Sequence, residues 1–466
     1  MRKRNKSILC VALTLFMVFS LAACGPKGEK EADNAEPAKE AKEGKDNSET
    51  VKIAVQEGRT MLKEIVDKYV EETGKEVEYI EIAKGDDYYS KVTLMLSSKD
   101  TAPDIIFEDG FMVKSDAAAG LLAPMDDYLA KWADWDSYNP AVVEAGTGMD
   151  GKQYAIPIST DEQVIWYNTD VFEAAKLDPD WQPKTWQDII DTAKKLKEAN
   201  SDDPDFLPMN QFVSTSNVEQ VSMRTFQLFY AATGGKLYDY DTDQWIVDKA
   251  NIKKVLDYVD QVWNVEELSS LDLAASNDPE STFTSEMFPN GDIGLYFTGS
   301  WAFGDGVGGS NADAWKEILK DGKVKYAFVP TYDGKGYVTT SGGWTFAMAA
   351  NGSNLDGGWD LLKYICQEEN MTYWAIESGN LPARADSFES DAWKSQEYSG
   401  LMEKFEEGLE FTVFRPTVDG YASVTELYAQ LIENVAFGVL GIDDAVDHFE
   451  GDMKAAMGAD LVKVIE

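Results

Sequence analysis

Residues 51–82 read VKIAVQEGRTMLKEIVDKYVEETGKEVEYIEI, and this segment predicts a strand, a helix and a second strand in succession. The apolar run 51–55 is typical of a buried strand, and apolar residues at helical spacing over 60–73 predict an amphipathic helix that stops at Gly74. Residues 76–82 alternate again, 88–98 are helical, and 104–107 form a short buried strand. Strands and helices alternating at this spacing predict a parallel α/β sheet.

The same alternation continues through the rest of the chain. Residues 156–167, 293–297, 326–330 and 345–350 are predicted strands, and Thr185 opens a capped helix that extends to residue 196. A single hydrophobic core stops growing at about 250–300 residues. The segment from residue 51 to residue 466 is therefore expected to form two lobes.

The chain is strongly acidic, with 83 Asp and Glu residues against 42 Lys and Arg residues and a formal net charge of −41. A surface of this charge repels nucleic acid, which is excluded as an expected partner. Cys366 is predicted to be a buried small hydrophobe rather than a nucleophile. The lone histidine, His448, excludes a multi-histidine metal site, and the sequence has neither a G-x-S-x-G elbow nor an EF-hand loop. No cofactor and no metal are expected.

The N-terminus carries the pattern of an export signal. Basic residues within 2–6 precede an apolar run over 8–21, which is short for a membrane span, and the sequence LAAC ends at Cys24. LAAC resembles the lipobox of bacterial lipoproteins, which implies a signal peptide over 1–23 and an acyl lipid such as palmitate on Cys24. The alternative is an ordinary signal peptide with an incidental cysteine. Residues 24–50 are predicted to be the lipidated cysteine and a disordered tether, because no aromatic or large aliphatic residue follows Cys24 there.

Short motifs in a fixed order resemble those of a known family. They are APDIIF (102–107), GKQYAIP (151–157), WYNTDVF (166–172), FTGSW (297–301), SGGW (341–344) and the weaker GNLPAR (379–384). Together, behind a lipobox, they make the chain similar to the extracellular solute-binding proteins, family 1. These proteins serve carbohydrate ABC importers, and the maltose-binding proteins belong to them.

The resemblance implies an α/β fold of two lobes, the type II periplasmic-binding-protein-like fold, in which helices flank the central sheets. Three crossovers form the hinge, near 158–160, 338–340 and 414–416, and small or β-branched residues there suit a hinge. The N-terminal lobe would comprise 51–159 plus 341–412, and the C-terminal lobe 160–340 plus 413–466. The ligand would lie in the cleft between them.

A sugar needs an aromatic plane for its apolar face, and carboxylates, amides or arginine for its hydroxyl groups. Loops at strand ends collect such groups in open α/β sheets. By resemblance to the family, ligand-binding residues are predicted after the first and third strands, at the first crossover, and beside the glycines of the later motifs. The candidates are Glu57, Arg59, Glu108, Asp109, Asp161, Trp301, Trp344 and Arg384.

Each candidate also has a structural alternative. Glu57 and Arg59 could lie in a solvent-exposed turn, and Glu108 and Asp109 could cap the N-terminus of a helix. Asp161 could be a hinge carboxylate that caps a helix. The two tryptophans suit core packing, and Arg384 suits a surface ion pair. Maltose itself is not predicted, because Glu108 stands where maltose-binding proteins have tryptophan, and Gln56 and Glu57 replace their aspartate–lysine pair.

The leading hypothesis is a binding protein without enzymatic activity. It would be a monomeric lipoprotein on the extracellular face of a bacterial cell membrane, capturing a mono- or oligosaccharide for the permease subunits of an ABC importer. One alternative is a secreted glycoside hydrolase with two carboxylates about 5–10 Å apart. The other keeps the fold but binds a polyamine, another cation or a metal, and Trp301 and Trp344 would hold an ammonium group by cation–π attraction.

Overall fold

The structure is a computed structural model, and it describes residues 50–83, 87–276, 278–416, 418 and 420–466. The predicted signal peptide, Cys24 and the predicted tether up to residue 49 lie outside these residues. Within the described ranges, no helix has both the length and the apolar character needed to cross a bilayer.

Strands occur along the whole described chain, and several are separated by more than a hundred residues from the strands they pair with. They are β1 (Val51–Gln56), β2 (Val77–Ile82), β3 (Ile105–Asp109), β4 (Ala155–Pro157), β5 (Ser159–Thr160), β6 (Gln163–Asn168), β7 (Leu207–Met209), β8 (Tyr238–Asp239), β9 (Gln244–Asp248), β10 (Ile293–Gly299), β11 (Val324–Ala327), β12 (Val329–Pro330), β13 (Tyr337–Ser341), β14 (Trp344–Met348), β15 (Leu381–Pro382), β16 (Thr412–Phe414) and β17 (Val462–Ile465).

Helices fill the connections between these strands. The α-helices are α1 (Thr60–Thr73), α2 (Asp87–Leu96), α3 (Val113–Ala118), α4 (Asp126–Leu129), α5 (Pro140–Val143), α6 (Thr169–Ala174), α7 (Trp186–Ala199), α8 (Val218–Gln220), α9 (Leu228–Ala232), α10 (Lys249–Asp260), α11 (Leu271–Ala274), α12 (Pro279–Thr282), α13 (Phe288–Asn290), α14 (Ala302–Gly308), α15 (Ala312–Lys320), α16 (Leu355–Ile365), α17 (Glu368–Ser378), α18 (Ala385–Glu389), α19 (Asp391–Ser395), α20 (Ser399–Gly408), α21 (Tyr421–Ala436) and α22 (Ile442–Met457). Wider π-helical turns cover Val221–Gln227, Gln261–Val265 and Phe283–Met287, and 3-10 turns cover Ala133–Ser137, Glu144–Gly146, Thr215–Asn217 and Ala459–Leu461.

The first sheet has the strand order β2-β1-β3-β14-β4. β1 pairs in parallel with both β2 and β3, so the parallel sheet predicted from residues 51–107 is confirmed. β14 returns from far along the chain and pairs antiparallel with β3 and β4. This insertion brings the SGGW motif beside the end of β3.

The second sheet has the strand order β11-β6-β10-β7. β6 is antiparallel to both β10 and β11, whereas β10 and β7 are parallel. Helix α7 begins in this lobe with the predicted capping box, in which Thr185 and Asp188 exchange side-chain and backbone hydrogen bonds. This lobe is therefore built on a mixed sheet.

Two small sheets contain the predicted crossovers. β5 pairs with β15, and β12, β13 and β16 form a three-stranded sheet in which Thr339 and Thr412 are in register. Residues 158–160, 338–340 and 414–416 each coincide with one of these short strands or its end. The three predicted crossovers thus lie in or beside short strands, and two of them, β13 and β16, run side by side.

Separate hydrophobic cores surround the two main sheets. Phe107 and Phe346 belong to the core of the first sheet, whereas Trp166 and Leu295 belong to that of the second. Cys366 is fully buried in the first core, and burial raises the pKa of its thiol to about 12. The predicted structural role of Cys366 is confirmed.

Helix α20 packs differently from the lobe boundaries predicted by the sequence. Its Phe405 stacks on Tyr326, with 4.2 Å between the ring centroids and 4° between the planes. Phe405 also lies 5.8 Å from the ring of Trp166, in the core of the second sheet. The prediction groups residues 341–412 with the N-terminal lobe, but α20 buries its apolar face against the other lobe before the chain reaches β16.

Candidate functional site

A cavity of about 210 Å³ lies between the two lobes, and both lobes and the crossovers contribute to its wall. Its lining combines guanidinium, carboxylate and amide groups with two indole rings. The residues that line it are Arg59, Tyr89, Asp109, Asp161, Glu219, Gln220, Met223, Arg224, Trp301, Asp305, Gly343, Trp344, Ser378, Asn380 and Arg415.

The cavity contains most of the residues that the sequence predicts as ligand-binding. Those brought together there are Arg59, Asp109, Asp161, Trp301 and Trp344. Those that do not line it are Glu57, Glu108 and Arg384. The three exceptions differ in their physical reasons.

Strand geometry separates Glu108 from the cavity. The prediction ends the third strand at residue 107, but β3 continues to Asp109, and neighbouring side chains of a strand point to opposite faces. Asp109 therefore reaches the cavity and Glu108 does not. Burial raises the pKa of the Glu108 carboxyl well above its usual range, and the nearby charge of Asp116 adds to this rise. Glu57, after β1, is an exposed residue whose N–H donates to the Ile82 carbonyl.

Arg384 is held in the interior of the first lobe. Its guanidinium donates to both carboxylate oxygens of Asp386, at 2.9 and 2.6 Å, and to Asp134 at 3.3 Å. It also donates to the carbonyl of Cys366 at 2.8 Å, and the residue is 3% exposed. The ion pair that the sequence left as an alternative is thus present, although it is buried rather than on the surface.

Trp344 is an aromatic plane on the first lobe. It is the first residue of β14 and stacks on Phe107, with 4.4 Å between centroids and 13° between planes, while Tyr88 meets it edge-on. The preceding Gly343 has φ +144°, and a Cβ atom there would lie 2.3 Å from the carbonyl oxygen of Ser159. Gly343 is therefore needed for the first crossover to pass so close to Trp344.

Trp301 is the corresponding plane on the second lobe. It follows β10 and precedes α14, and its ring lies on Gly299, where a Cβ atom would come within 1.9 Å of Cζ3. The guanidinium of Arg224 lies over the same ring, 4.9 Å from its centroid. Glycine in the FTGSW motif thus lets the indole lie against the backbone.

Arg415 joins the two lobes at the third crossover. Its Nη2 donates to Asp109 at 2.9 Å, and its Nη1 donates to Glu219 on the second lobe. Tyr89 also donates from its hydroxyl to Asp109, at 3.1 Å. A buried charge stays buried only when it is paired, and here the pairs come from opposite sides of the cavity.

Asp161 lies at the first crossover, beside the same arginine. Its Oδ1 accepts a 3.0 Å hydrogen bond from the N–H of Gly342. Burial raises the pKa of its carboxyl to about 6, although the Gly342 N–H and the charge of Arg415 oppose the rise. A carboxyl held this way can accept a hydrogen bond from a solute hydroxyl when ionised and donate one when protonated.

Arg224, Arg415, Glu219 and Gln220 line the cavity although the sequence reasoning did not select them. Arg224 lies in the π-helical turn Val221–Gln227, is 8% exposed, and pairs with Glu280 of the same lobe. An arginine within the apolar run around residues 221–232 was a usable signal, since a charge on a buried helix needs a partner or a ligand. Arg415 lay inside a predicted crossover but carried no ligand prediction.

The described residues contain no cluster of His, Cys, Asp and Glu side chains arranged to hold a metal ion.

The family model of the bacterial extracellular solute-binding proteins matches residues 54–372. The chain belongs to this family. The resemblance stated from the motifs is therefore confirmed, and members of the family are binding proteins that serve ABC importers.

One curated relative shows how much of the sequence is shared. The sn-glycerol-3-phosphate-binding periplasmic protein UgpB of Rhizobium meliloti is 23% identical over 304 residues, and the match covers 62% of this chain and 62% of that relative. The chain thus spans about three fifths of the length of this curated relative.

Solved structures of solute-binding proteins share the fold. A protein of Thermotoga lettingae bound with α-D-tagatose has a TM-score of 0.74 at 23% identity, covering 88% of this chain and 100% of that one. Maltose-bound MalE3 of T. maritima has a TM-score of 0.74 at 18% identity, covering 87% and 99%. The predicted two-lobed α/β fold is confirmed by these likenesses.

Proposed function

We propose that this protein is a lipid-anchored extracellular receptor that captures a carbohydrate between its lobes and delivers it to the permease of an ABC importer. The observation that carries the proposal is a pair of indole rings, Trp344 on the first lobe and Trp301 on the second, at one polar cavity. Aromatic faces suit the apolar face of a sugar ring, and the charged groups between them suit its hydroxyls. Family membership supports the transport role.

The size of the cavity favours a small solute. Its volume of about 210 Å³ is below the ~300–1,000 Å³ that is typical of sites for drug-sized ligands. A monosaccharide or a sugar of similar size therefore suits it better than a long oligosaccharide. Among the solutes in the names of similar proteins, tagatose and sn-glycerol 3-phosphate are of this size, whereas the maltose bound by MalE3 is larger.

The charges around the cavity weigh against a cationic solute. Guanidinium groups already lie over both indole rings, Arg59 over Trp344 and Arg224 over Trp301, so a cationic solute held by these rings would meet like charge. A hydrolase would need one carboxyl kept free as an acid. Asp109 is paired with Arg415 and does not meet this need, whereas Asp161 has the raised pKa of such an acid, so the reducing-end assay below decides between the two functions.

The ligand class can be tested by a thermal-shift screen of the purified protein against a panel of sugars. A sugar that binds only the folded state, at a free concentration of 100 times its Kd, adds about 2.7 kcal/mol to the free energy of unfolding. The melting temperature of the protein therefore rises. Trp301→Ala should abolish that rise, while Trp135→Ala, a partly buried tryptophan outside the cavity, should keep it. A panel without any shift contradicts the proposal, and new reducing ends after incubation with oligosaccharides would favour a hydrolase.

Lipid attachment is a separate part of the proposal, and it depends on Cys24 following LAA. Cys24→Ser removes the sulfur that would carry the lipid. The variant should therefore appear in the medium or the soluble fraction, whereas the parent chain should sediment with membranes. Equal membrane association of the two chains contradicts a lipid anchor on Cys24.

A further inference from the structure

Two of the three arginines at the cavity have carboxylate partners. Arg415 pairs with Asp109 at 2.9 Å and with Glu219, so two carboxylates face this single guanidinium. Arg224 pairs with Glu280, which also accepts hydrogen bonds from neighbouring hydroxyl groups of the second lobe. The charges of these two arginines are therefore balanced within the protein.

Arg59 differs from them, because none of the ion pairs within 4.0 Å between described residues involves it. Its Nη2 donates to the neutral amide of Gln56 at 2.6 Å, and its buried Nε makes no hydrogen bond to a described residue. Burial lowers the pKa of its guanidinium, and the carboxylate of Asp305, which also lines the cavity, only partly opposes this. The residue as a whole is half-buried, and its partly desolvated charge has no carboxylate within ion-pair distance among the described residues, which leaves a place for an anion beside it.

Aromatic rings fix the position of this guanidinium. Its Cζ lies 5.3 Å from the ring centroid of Trp344, 5.4 Å from that of Phe107 and 5.9 Å from that of Trp374. Cation–π attraction offsets part of the desolvation and holds the group without neutralising its charge. A fixed positive charge therefore lies directly beside the proposed sugar platform.

The opposite wall of the cavity repeats the pattern in part. Arg224 is 8% exposed, its guanidinium lies over Trp301, and its buried Nε makes no hydrogen bond to a described residue. The Oε1 atom of Gln220 is a buried acceptor that likewise has no described partner. Each indole is thus accompanied by a guanidinium with an unused donor, and an amide oxygen is left to accept from a hydroxyl.

Building on the proposed function, we infer that the solute is an acidic carbohydrate, a small polyol carrying a carboxylate or phosphate group, and that Arg59 binds this group. The anion supplies a directly paired counter-charge in addition to the field of Asp305, and a planar guanidinium matches the oxygens of either group. The hydroxyls of the same solute have Asp161 and Gln220 as partners.

Isothermal titration with matched pairs of probes tests this inference. The pairs are D-glucuronate with D-glucose, D-galacturonate with D-galactose, and D-glucose 6-phosphate with D-glucose. A hydrogen bond to a charged group contributes about 1.5–3 kcal/mol, so the acidic member of at least one pair should bind ~10-fold or more tightly than its neutral partner. Preference in the first two pairs identifies a carboxylate, and preference in the third identifies a phosphate.

Arg59 variants assign the preference to this residue. In Arg59→Gln, the affinity for the acidic member should fall to within about threefold of the affinity for the neutral one. Arg59→Lys should keep part of the preference because the charge is retained. Lys63→Gln is the matched control: it removes the same charge one turn further along α1, where Lys63 pairs with exposed Asp67 outside the cavity. It should leave the ratio unchanged.

Two outcomes overturn the inference while leaving a carbohydrate receptor intact. They are equal or tighter binding of every neutral member by the parent protein, and an equal loss of both members in Arg59→Gln. Binding of no sugar in any pair contradicts the proposed function itself. If Arg59→Gln fails to fold by circular dichroism, the affinity ratio of the parent protein and its change in Arg59→Lys decide the question.

Discussion

Arg415 Nη2 donates a 2.9 Å hydrogen bond to Asp109 Oδ1 and thereby ties the third crossover to the end of β3. The same guanidinium donates to Glu219 of the second lobe. Arg415 and Asp109 are 8% and 6% exposed, so this pair lies almost entirely out of water. The geometry of the cavity thus depends on one arginine that contacts both lobes.

Replacing Arg415 should be strongly destabilising. Arg415→Met leaves Asp109 and Glu219 without their shared cation, and breaking a buried pair by removing one partner costs about 3–5 kcal/mol. Urea denaturation should show this loss in the free energy of unfolding. Lys63→Met, which breaks the exposed pair with Asp67, should cost less than about 1 kcal/mol. Similar costs for the two variants would contradict the role given to Arg415.

The two tryptophans should differ in their effect on the empty protein. Trp344 stacks on Phe107 and meets Tyr88, so Trp344→Ala removes core packing and should cost about 3–5 kcal/mol. Trp301 lies against Gly299 at the surface of the cavity, and Trp301→Ala should cost less than half of that. Thermal melts without ligand compare them, and a larger loss for Trp301→Ala would mean that Trp301 is chiefly structural.

Asp161 should make stability depend on pH. Its pKa in the folded state is raised to about 6 from the usual 3.8, chiefly by burial. The folded chain therefore takes up this proton more readily than the unfolded chain, and the contribution of Asp161 to the unfolding free energy rises as pH falls from about 6 toward 4. The expected rise is about 2 kcal/mol.

Asp161→Asn isolates that contribution. Urea denaturation between pH 7 and pH 4 measures the unfolding free energy of both chains. The variant should be more stable than the parent at pH 7, and this difference should shrink as the pH falls to 4. Burial raises the pKa of the neighbouring Glu162 to about 9, so that carboxyl is already protonated in this window. A difference between the two chains that is independent of pH would contradict the raised pKa of Asp161.

Gly343 should tolerate no side chain. Its φ of +144° and the 2.3 Å approach of its hypothetical Cβ to the Ser159 carbonyl both oppose substitution. Gly343→Ala should therefore lower the unfolding free energy by at least ~1–3 kcal/mol, the cost of one strained backbone position. Gly308→Ala, at a position where a Cβ meets nothing within 4 Å, should be close to neutral. Equal melting temperatures for the two variants would count against the close crossover.

Local patterns in the sequence predicted much of the secondary structure. Helix α1 spans Thr60–Thr73 as predicted, because its apolar face is continuous and Gly74 ends it with φ 68°. Helix α2 likewise covers most of the predicted helix 88–98, with Tyr88 buried and Tyr89 at the cavity. These features depend on neighbours within a few residues, which a single sequence shows directly.

The same local patterns could not predict which distant strands pair with each other. The antiparallel insertion of β14 beside β3 depends on residues more than two hundred positions apart. The end of β3, which decides that Asp109 rather than Glu108 faces the cavity, depends on that pairing as well. The ion-pair partners of Arg415 and Arg224 lie far away in the sequence. The sequence around each arginine therefore does not reveal whether its charge is balanced.

The most direct test of the account is isothermal titration of one sugar into the parent protein, Trp301→Ala and Trp344→Ala. The account predicts a single site in the parent and a loss of affinity of at least ~10-fold in both variants, because one solute contacts both lobes at once. Circular dichroism should verify that each variant is folded at the titration temperature. Full affinity in either folded variant would mean that the solute binds one lobe alone, and this would contradict capture between the lobes.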